Sequence, residues 1–322
     1  MTRLLVCTGN ELVVLEGEDG DWAGPRRALT ADGAQCVAVD ANDGDRLLVG
    51  TMGGGARVSL DGGGSWQRAE LPEDDVLSVA ISAADGTLYA GTEPSRLFAS
   101  PDGERWEELT ALQEIPSRPS WSFPPRPWTS HVRWIAPDPH AAERLLVGIE
   151  LGGLMYSEDG GESFTDHRPG AQRDVHCLTW HPRVGGRAYE AAGGGAAWST
   201  DGGLDWEPAD DGRRHDYCWA LAADPVDPDT WFVSAASGPG RAHGRGAADA
   251  DLYRWHEAGP WERIGTGLPE PLDSMVYALA AGEGGLFAGL RDGRILHSSN
   301  RGESFEQLPV GTDQVLALAL SD

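Results

Sequence analysis

Ser157-Glu158-Asp159-Gly160-Gly161-Glu162-Ser163-Phe164 is the stretch on which the fold turns, because the chain repeats it. It returns as Ser59-Leu60-Asp61-Gly62-Gly63-Gly64-Ser65-Trp66 and as Ser199-Thr200-Asp201-Gly202-Gly203-Leu204-Asp205-Trp206. A shortened copy, Ser100-Pro101-Asp102-Gly103-Glu104-Arg105-Trp106, and a degenerate one, Ser298-Ser299-Asn300-Arg301-Gly302-Glu303-Ser304-Phe305, complete the set. Aspartate ahead of glycines is turn chemistry: the carboxylate accepts backbone N–H groups, the glycines take conformations closed to other residues, and the aromatic packs beneath. Asp61, Asp102, Asp159 and Asp201 are therefore read as structural clasps. Each copy lies between short apolar runs. Around the quoted stretch, Trp134-Ile135-Ala136-Pro137-Asp138-Pro139 leads to Arg144-Leu145-Leu146-Val147-Gly148, then Gly153-Leu154-Met155-Tyr156-Ser157 and the turn. That spacing predicts four antiparallel strands, A to D, with the repeated turn joining C to D.

The pattern resembles the Asp-box, or BNR repeat, of sialidases and related β-propellers in the wider WD40/YVTN group. With the closing aromatic as a ruler, Trp22, Trp66, Trp106, Phe164, Trp206, Trp261 and Phe305 are separated by 44, 40, 58, 42, 55 and 44 residues. The distance from Phe305 round to Trp22 through the two ends supplies one more period. The expectation is an all-β, seven-bladed β-propeller forming a single domain over residues 1–322. Blade 1 takes 315–320 with 2–30, blade 2 34–70, blade 3 76–110, blade 4 130–168, blade 5 174–208, blade 6 216–265 and blade 7 275–309. The run Val315-Leu316-Ala317-Leu318-Ala319-Leu320 reads as a strand A with no blade after it, and Leu4 to Cys7 as a strand B with no strand A before it. Pairing the two closes the ring and hides both terminal edges.

Composition narrows the partners. The 322 residues include 51 acidic against 25 basic ones, a formal charge of -26, and every basic residue is arginine. Such a surface repels phosphate backbones and anionic lipid, which argues against nucleic acid and membranes as partners. Lysine-free, acid-rich composition fits either a salt-adapted organism or a GC-rich genome. No run of 18 apolar residues exists to span a bilayer, and the N-terminal apolar run is too short for a signal peptide, so it reads as structured chain. Cys7, Cys36, Cys177 and Cys218 sit singly within apolar runs with no CxxC spacing, as expected of buried thiols in a reducing cytoplasm.

The two long gaps locate the candidate site. Their surplus falls in 111–129, ahead of strand A of blade 4, and in 237–251, between strands B and C of blade 6. In a four-stranded blade both positions emerge on the face opposite the repeated turns, at one mouth of the channel, and loops on a rigid scaffold are where function concentrates. The first insertion is rich in proline, aromatics and arginine and includes Trp128; the second is rich in glycine and carries Arg241, His243 and Arg245. Aligning strand A of blades 4 to 7 places His131, His176, Tyr217 and Met275 at one level, with Arg133, Leu178, Trp219 and Tyr277 two residues on. Glu93, Glu150 and Arg291 end strands B beside them. The candidate catalytic groups are His131, His176, Tyr217 and Glu150. The candidate ligand-binding groups are Trp128, Arg133, Trp219, Arg241, His243, Tyr277 and Arg291.

Two chemistries suit these residue types. His131 and His176, with Glu150, offer imidazole and carboxylate ligands for a divalent metal in the channel. A histidine with Glu150 or Tyr217 forms an acid/base pair for hydrolysis or elimination, with Arg133, Arg241 or Arg291 holding a carboxylate. The plain alternative is histidines that hydrogen-bond between blades along a wet channel. Glu190 stands inside strand B of blade 5, where the other blades are expected to carry Gly or Ala, and a buried carboxylate needs a partner, looked for on the His176 side. The sialidase segment Phe-Arg-Ile-Pro is missing, Ile115-Pro116 follows Glu114 rather than arginine, and the ruler counts seven blades where sialidases have six. The sialidase catalytic assignment is therefore not carried over, and glycosidase chemistry ranks low. Seven-bladed Asp-box propellers also include photosystem II assembly factors, which bind protein partners. The expectation is a mouth over blades 4 to 7 that binds a small polar or anionic ligand, with hydrolase or lyase chemistry open to it. The alternative is a non-catalytic scaffold that docks a protein.

Overall fold

In the computed structural model, which describes residues 1–18, 21–30, 32–124, 129–244, 246–257 and 259–321, seven antiparallel sheets stand in a ring. The innermost strands are Ala34–Val39, Val76–Ile81, Val132–Asp138, Val175–Trp180, Tyr217–Ala223, Val276–Gly282 and Ala317–Ser321. Each touches the next in this order, and the last touches the first, so the molecule is a closed seven-bladed β-propeller. Blade 4 departs slightly from four strands. It has three, and its fourth position shrinks to a bridge between Tyr156 and Thr165.

Ring closure follows the expected route. Ala317–Ser321 lies antiparallel to Thr2–Cys7, with Leu5 opposite Ala319 and Val6 opposite Leu318. Blade 1 therefore takes its innermost strand from the C-terminal end of the chain and the rest from the N-terminal end.

Second strands such as Leu47–Thr51, Leu88–Thr92, Ala188–Ala192 and Thr230–Ala236 are buried at every position. They are flanked by neighbouring blades on both faces, so their sequences read as mostly apolar runs rather than alternating ones, with Glu190 in Ala188–Ala192 as the charged exception. The outermost strands are two-residue exposed stubs such as Gln67–Arg68 and Glu207–Pro208. A glycine near the end of the second strand sets the blade spacing. A Cβ on Gly148 would come within 2.5 Å of Val175 at the start of the next blade.

The repeated turn is built alike wherever it occurs. Ser157 Oγ accepts the Gly161 N–H at 2.9 Å and donates to Asp159 Oδ1 at 2.8 Å, and Asp159 Oδ1 accepts the Ser163 N–H at 2.9 Å. Ser59, Asp61, Gly63 and Ser65 repeat those bonds, as do Ser298, Asn300, Gly302 and Ser304 with asparagine in the acid's place. Hydrogen bonds from Ser65, by side chain and backbone, and from Ser59 hold the Asp61 carboxyl down at about 2. The turn also grips the preceding blade, since Trp66 Nε1 donates to Ala28 O at 2.8 Å.

Glu190 departs from the sequence reading. The register places it opposite Leu178, where blades 2, 3, 4 and 7 carry Val49, Ala90, Val147 and Ala288, so the usual residue is Val or Ala and not Gly. Its partner is the Gln172 backbone N–H, 2.9 Å from Oε2, and not a group on the His176 side.

Candidate functional site

Six inner strands carry a bulge where they enter the channel. In blade 4, Val132 pairs with Ile149 and Trp134 with Gly148, which leaves Arg133 out of the ladder. The same skip ejects Gln35, Leu77, His176 and Tyr277 in blades 2, 3, 5 and 7. In blade 6 the pairing jumps from Cys218 to Leu221 and frees Trp219 with Ala220. A bulge re-aims a side chain that regular pleating would point elsewhere. Here it lines one level of the channel with residues from successive blades. The alignment read from sequence is two residues out in blade 5: His176, not Leu178, corresponds to Arg133, and Asp174 corresponds to His131.

Above this level lies a cavity of about 510 Å³, lined by Arg133, Trp219, Tyr277, Tyr217, His243 and Glu150. Met52, Leu77, Leu316, Leu151 and Phe123 add apolar surface to the same lining, Phe123 lying edge-on to His131 with ring centres 4.9 Å apart. Beneath it, Arg133, Trp219 and Tyr277 also line the narrow waist of the channel.

The charged part of the wall is tightly tied. His131 is buried and donates from Nε2 to Glu150 Oε2 at 2.7 Å, while its Nδ1 lies 3.4 Å from Glu93 Oε2. Arg133 Nε is 3.5 Å from Glu150 Oε2, and its guanidinium lies 4.6 Å from the centre of the Trp219 ring. Burial alone would raise the Glu150 carboxyl, but the hydrogen bond from His131 and the charge of Arg133 bring it down to about 2. A carboxylate so stabilised is a weak base near neutrality, which counts against the catalytic role considered for Glu150. His176 sits in the wall, its Nδ1 donating to Cys218 O at 2.6 Å and its ring 4.5 Å from that of Trp219.

The second insertion delivers His243. The short helix Pro239–Ala242 ends at this residue, whose Nε2 is 2.8 Å from Tyr217 Oη and whose Nδ1 is 2.8 Å from Tyr277 Oη. Burial, aided by the nearby His176, lowers the His243 pKa to about 4. The neutral ring donates to one phenol and accepts from the other. Whichever tautomer holds, one of the two phenols keeps its O–H free to donate.

The remaining sequence candidates fall outside this cluster. Arg241 is exposed, bonds within its own loop to Ala247 O at 3.3 Å, and does not line the cavity. Arg291 donates to Gly244 O and so fastens the insertion from behind. Trp128 and Arg245 lie outside the described residues. Of the candidate arginines Arg133, Arg241 and Arg291, Arg133 lines the cavity and the other two do not. The first insertion also differs from a loop over the mouth. Leu112, Ile115 and Trp121 are buried in the core between blades 3 and 4, and among its described residues Phe123 lines the cavity. Sequence reading missed Asp174, Gln35, Leu77 and Leu316. The strand-entry register would have found them, because each sits at the same step of its blade as a residue that was chosen.

No protein-family model matches the chain, and no curated protein does either. Solved structures do. An ancestral GH74 enzyme superposes with a TM-score of 0.64 at 17% identity, covering 85% of this chain and 38% of its own. The GH74 xyloglucanase from Xanthomonas campestris gives 0.68 at 16% identity, covering 98% of this chain and 52% of its own. YCF48 from Cyanidioschyzon merolae gives 0.60 at 12%, with 89% and 88% covered, and YCF48 bound to D1 peptide gives 0.58 at 16%, with 86% and 81% covered. The chain thus spans about half or less of the GH74 chains and most of the YCF48 chains. These neighbours are seven-bladed β-propellers that include both enzymes and non-catalytic proteins, and the likeness extends to the fold alone.

Proposed function

We propose that this propeller is a binding protein whose channel mouth, over blades 4 to 7, receives a small polar ligand with a flat or apolar part. The observation that carries the reading is the convergence of Arg133, Trp219, Tyr277, Tyr217 and His243 on one cavity of about 510 Å³ that Met52, Leu77, Leu316, Leu151 and Phe123 also line. Pockets of that size, mostly apolar with a few converging polar groups, are what small-molecule sites look like. Glu150, held down at about 2, is a weak base near neutrality, which supports binding over a reaction in which it takes a proton. Among the described residues Arg133 is the one arginine lining the cavity, and it is already tied to Glu150, which supports a neutral polar head over a strongly anionic one.

Two finer readings accompany this one. The repeated serine–aspartate–glycine bonding supports assigning the five turns as Asp-boxes of the BNR kind. Four free cysteines support a reducing compartment such as the cytoplasm. A protein-docking scaffold is the second reading, favoured by the match to nearly the whole length of YCF48, one structure of which holds a D1 peptide.

Benzamide and benzoate test the mouth with a neutral and an anionic head on the same ring. Saturation-transfer NMR is expected to show benzamide bound more tightly than benzoate. Trp219→Ala, checked for an unchanged unfolding transition, is expected to weaken benzamide at least about tenfold. Equal binding by folded wild type and variant would remove the mouth as the site.

A further inference from the structure

We propose that Glu150, Asp174 and His176 form a binding site for one divalent transition-metal ion in the wall of the mouth. His176 anchors the site. This side chain is only 1% exposed, and its Nδ1 must carry the proton, because the Cys218 carbonyl 2.6 Å away can only accept. In the neutral ring the lone pair therefore sits on Nε2, and Nε2 is buried with no hydrogen-bond partner. An imidazole fixed through one nitrogen by a backbone carbonyl, with the other left bare, is the usual posture of a metal ligand.

What the bare nitrogen faces is two carboxylates. Donor atoms of His176, Glu150 and Asp174 all lie within 4.8 Å of one another, and His176 Nε2 is 3.6 Å from Asp174 Oδ1. A lone pair directed at anionic oxygens is repulsive unless a cation lies between them. A proton would serve, but a charge-assisted hydrogen bond would draw the atoms to roughly 2.7–2.9 Å. Ligands of a tetrahedral ion at about 2.0–2.2 Å from the metal are instead separated by roughly 3.3–3.6 Å. The observed distance belongs to the second case.

The surroundings suit an ion. Glu150 Oε2 takes the His131 hydrogen bond and lies beside Arg133, so Oε1 is the oxygen left for a metal, with His131 orienting the carboxylate. Glu150 and Asp174 line the cavity, so a fourth coordination position opens onto it. One imidazole with two carboxylates fits zinc, cobalt or manganese better than the softer, thiolate-seeking ions. The ligand set differs from the one expected from sequence, because His131 Nε2 is spent on Glu150. The site does not depend on the mouth binding an organic ligand: benzamide binding reports on that reading, and metal binding on this one.

The test uses full-length protein stripped with chelator. Calorimetric titration with Zn²⁺ is expected to show one site per chain, and Co²⁺ should give the visible bands of a four- or five-coordinate ion. His176→Gln and Asp174→Asn should each weaken Zn²⁺ at least about tenfold and bleach the cobalt spectrum. Asp174 is part-exposed, so its variant decides the matter if the histidine variant fails to fold. No stoichiometric binding, or binding equally tight in a folded Asp174→Asn, would overturn the site and leave only ions held by the acidic surface.

Discussion

Glu190→Gln is expected to abolish a steep loss of stability with rising pH. Glu190 is fully buried, opposite Leu178 on one strand and Ala197 on the other; one carboxyl oxygen accepts the Gln172 N–H and the other has no partner. Burial raises its pKa to about 8, against the single opposing hydrogen bond. The folded protein therefore keeps a proton that the unfolded chain releases near the ordinary glutamate value. Stability is fully present below the unfolded pKa and falls as pH rises, until the folded pKa is passed. The window runs from roughly pH 4.5 to 8, at about 1.4 kcal/mol per pH unit, so the span is on the order of 5 kcal/mol. Urea unfolding at pH 5, 6, 7 and 8 should give a wild-type minus Glu190→Gln difference that declines with that slope. The subtraction cancels other titrating groups, including His167, His181 and His243, whose pKa values burial lowers. Parallel curves for the two proteins would show that Glu190 is already ionised in the fold.

Removing residues 313–322 is expected to cost the cooperative fold altogether. That segment provides the innermost strand of blade 1, and Val315, Leu318 and Leu320 belong to the core shared with blade 7. Ala317 and Ala319 pack on the blade 2 side. Its loss bares the edge of Thr2–Cys7 and opens both neighbouring cores, and a ring of blades has no independent domain to fall back on. Far-UV circular dichroism on heating should lose its single sharp transition, and limited proteolysis should cut throughout. A synthetic peptide of residues 311–322 should restore both in trans. A truncated protein that melts cooperatively near the wild-type temperature would mean the closing strand is dispensable.

How much of this was legible in the chain depends on what kind of signal each feature leaves. The turn at Ser157 to Phe164 is local, repeated and chemically demanding, so it announced the blades, their number and the closing of the ring by Val315 to Leu320. The position of the mouth followed from where the two insertions fell. The bulges left no such mark. Skipping Arg133 or His176 in the ladder is a backbone event that depends on the neighbouring strand, so a reading by simple alternation put His176 in the wrong place and overlooked Asp174. Arginine at a loop was equally poor evidence for direction. Arg241 and Arg291 lie on the expected insertion and its neighbour, yet one stays in its own loop and the other holds that loop from behind.

On the proposed function, ligands enter at the mouth bounded by Arg133, Trp219, Tyr277 and His243. Crystallographic fragment soaking over the whole molecule tests it most directly. Bound fragments are expected to cluster in this cavity, stacked against Trp219 or Tyr277 and hydrogen-bonded to the Tyr217–His243–Tyr277 chain. Clustering instead at the opposite mouth, lined by Trp134, Pro137 and Trp180, or along the outer strands of the blades would contradict it.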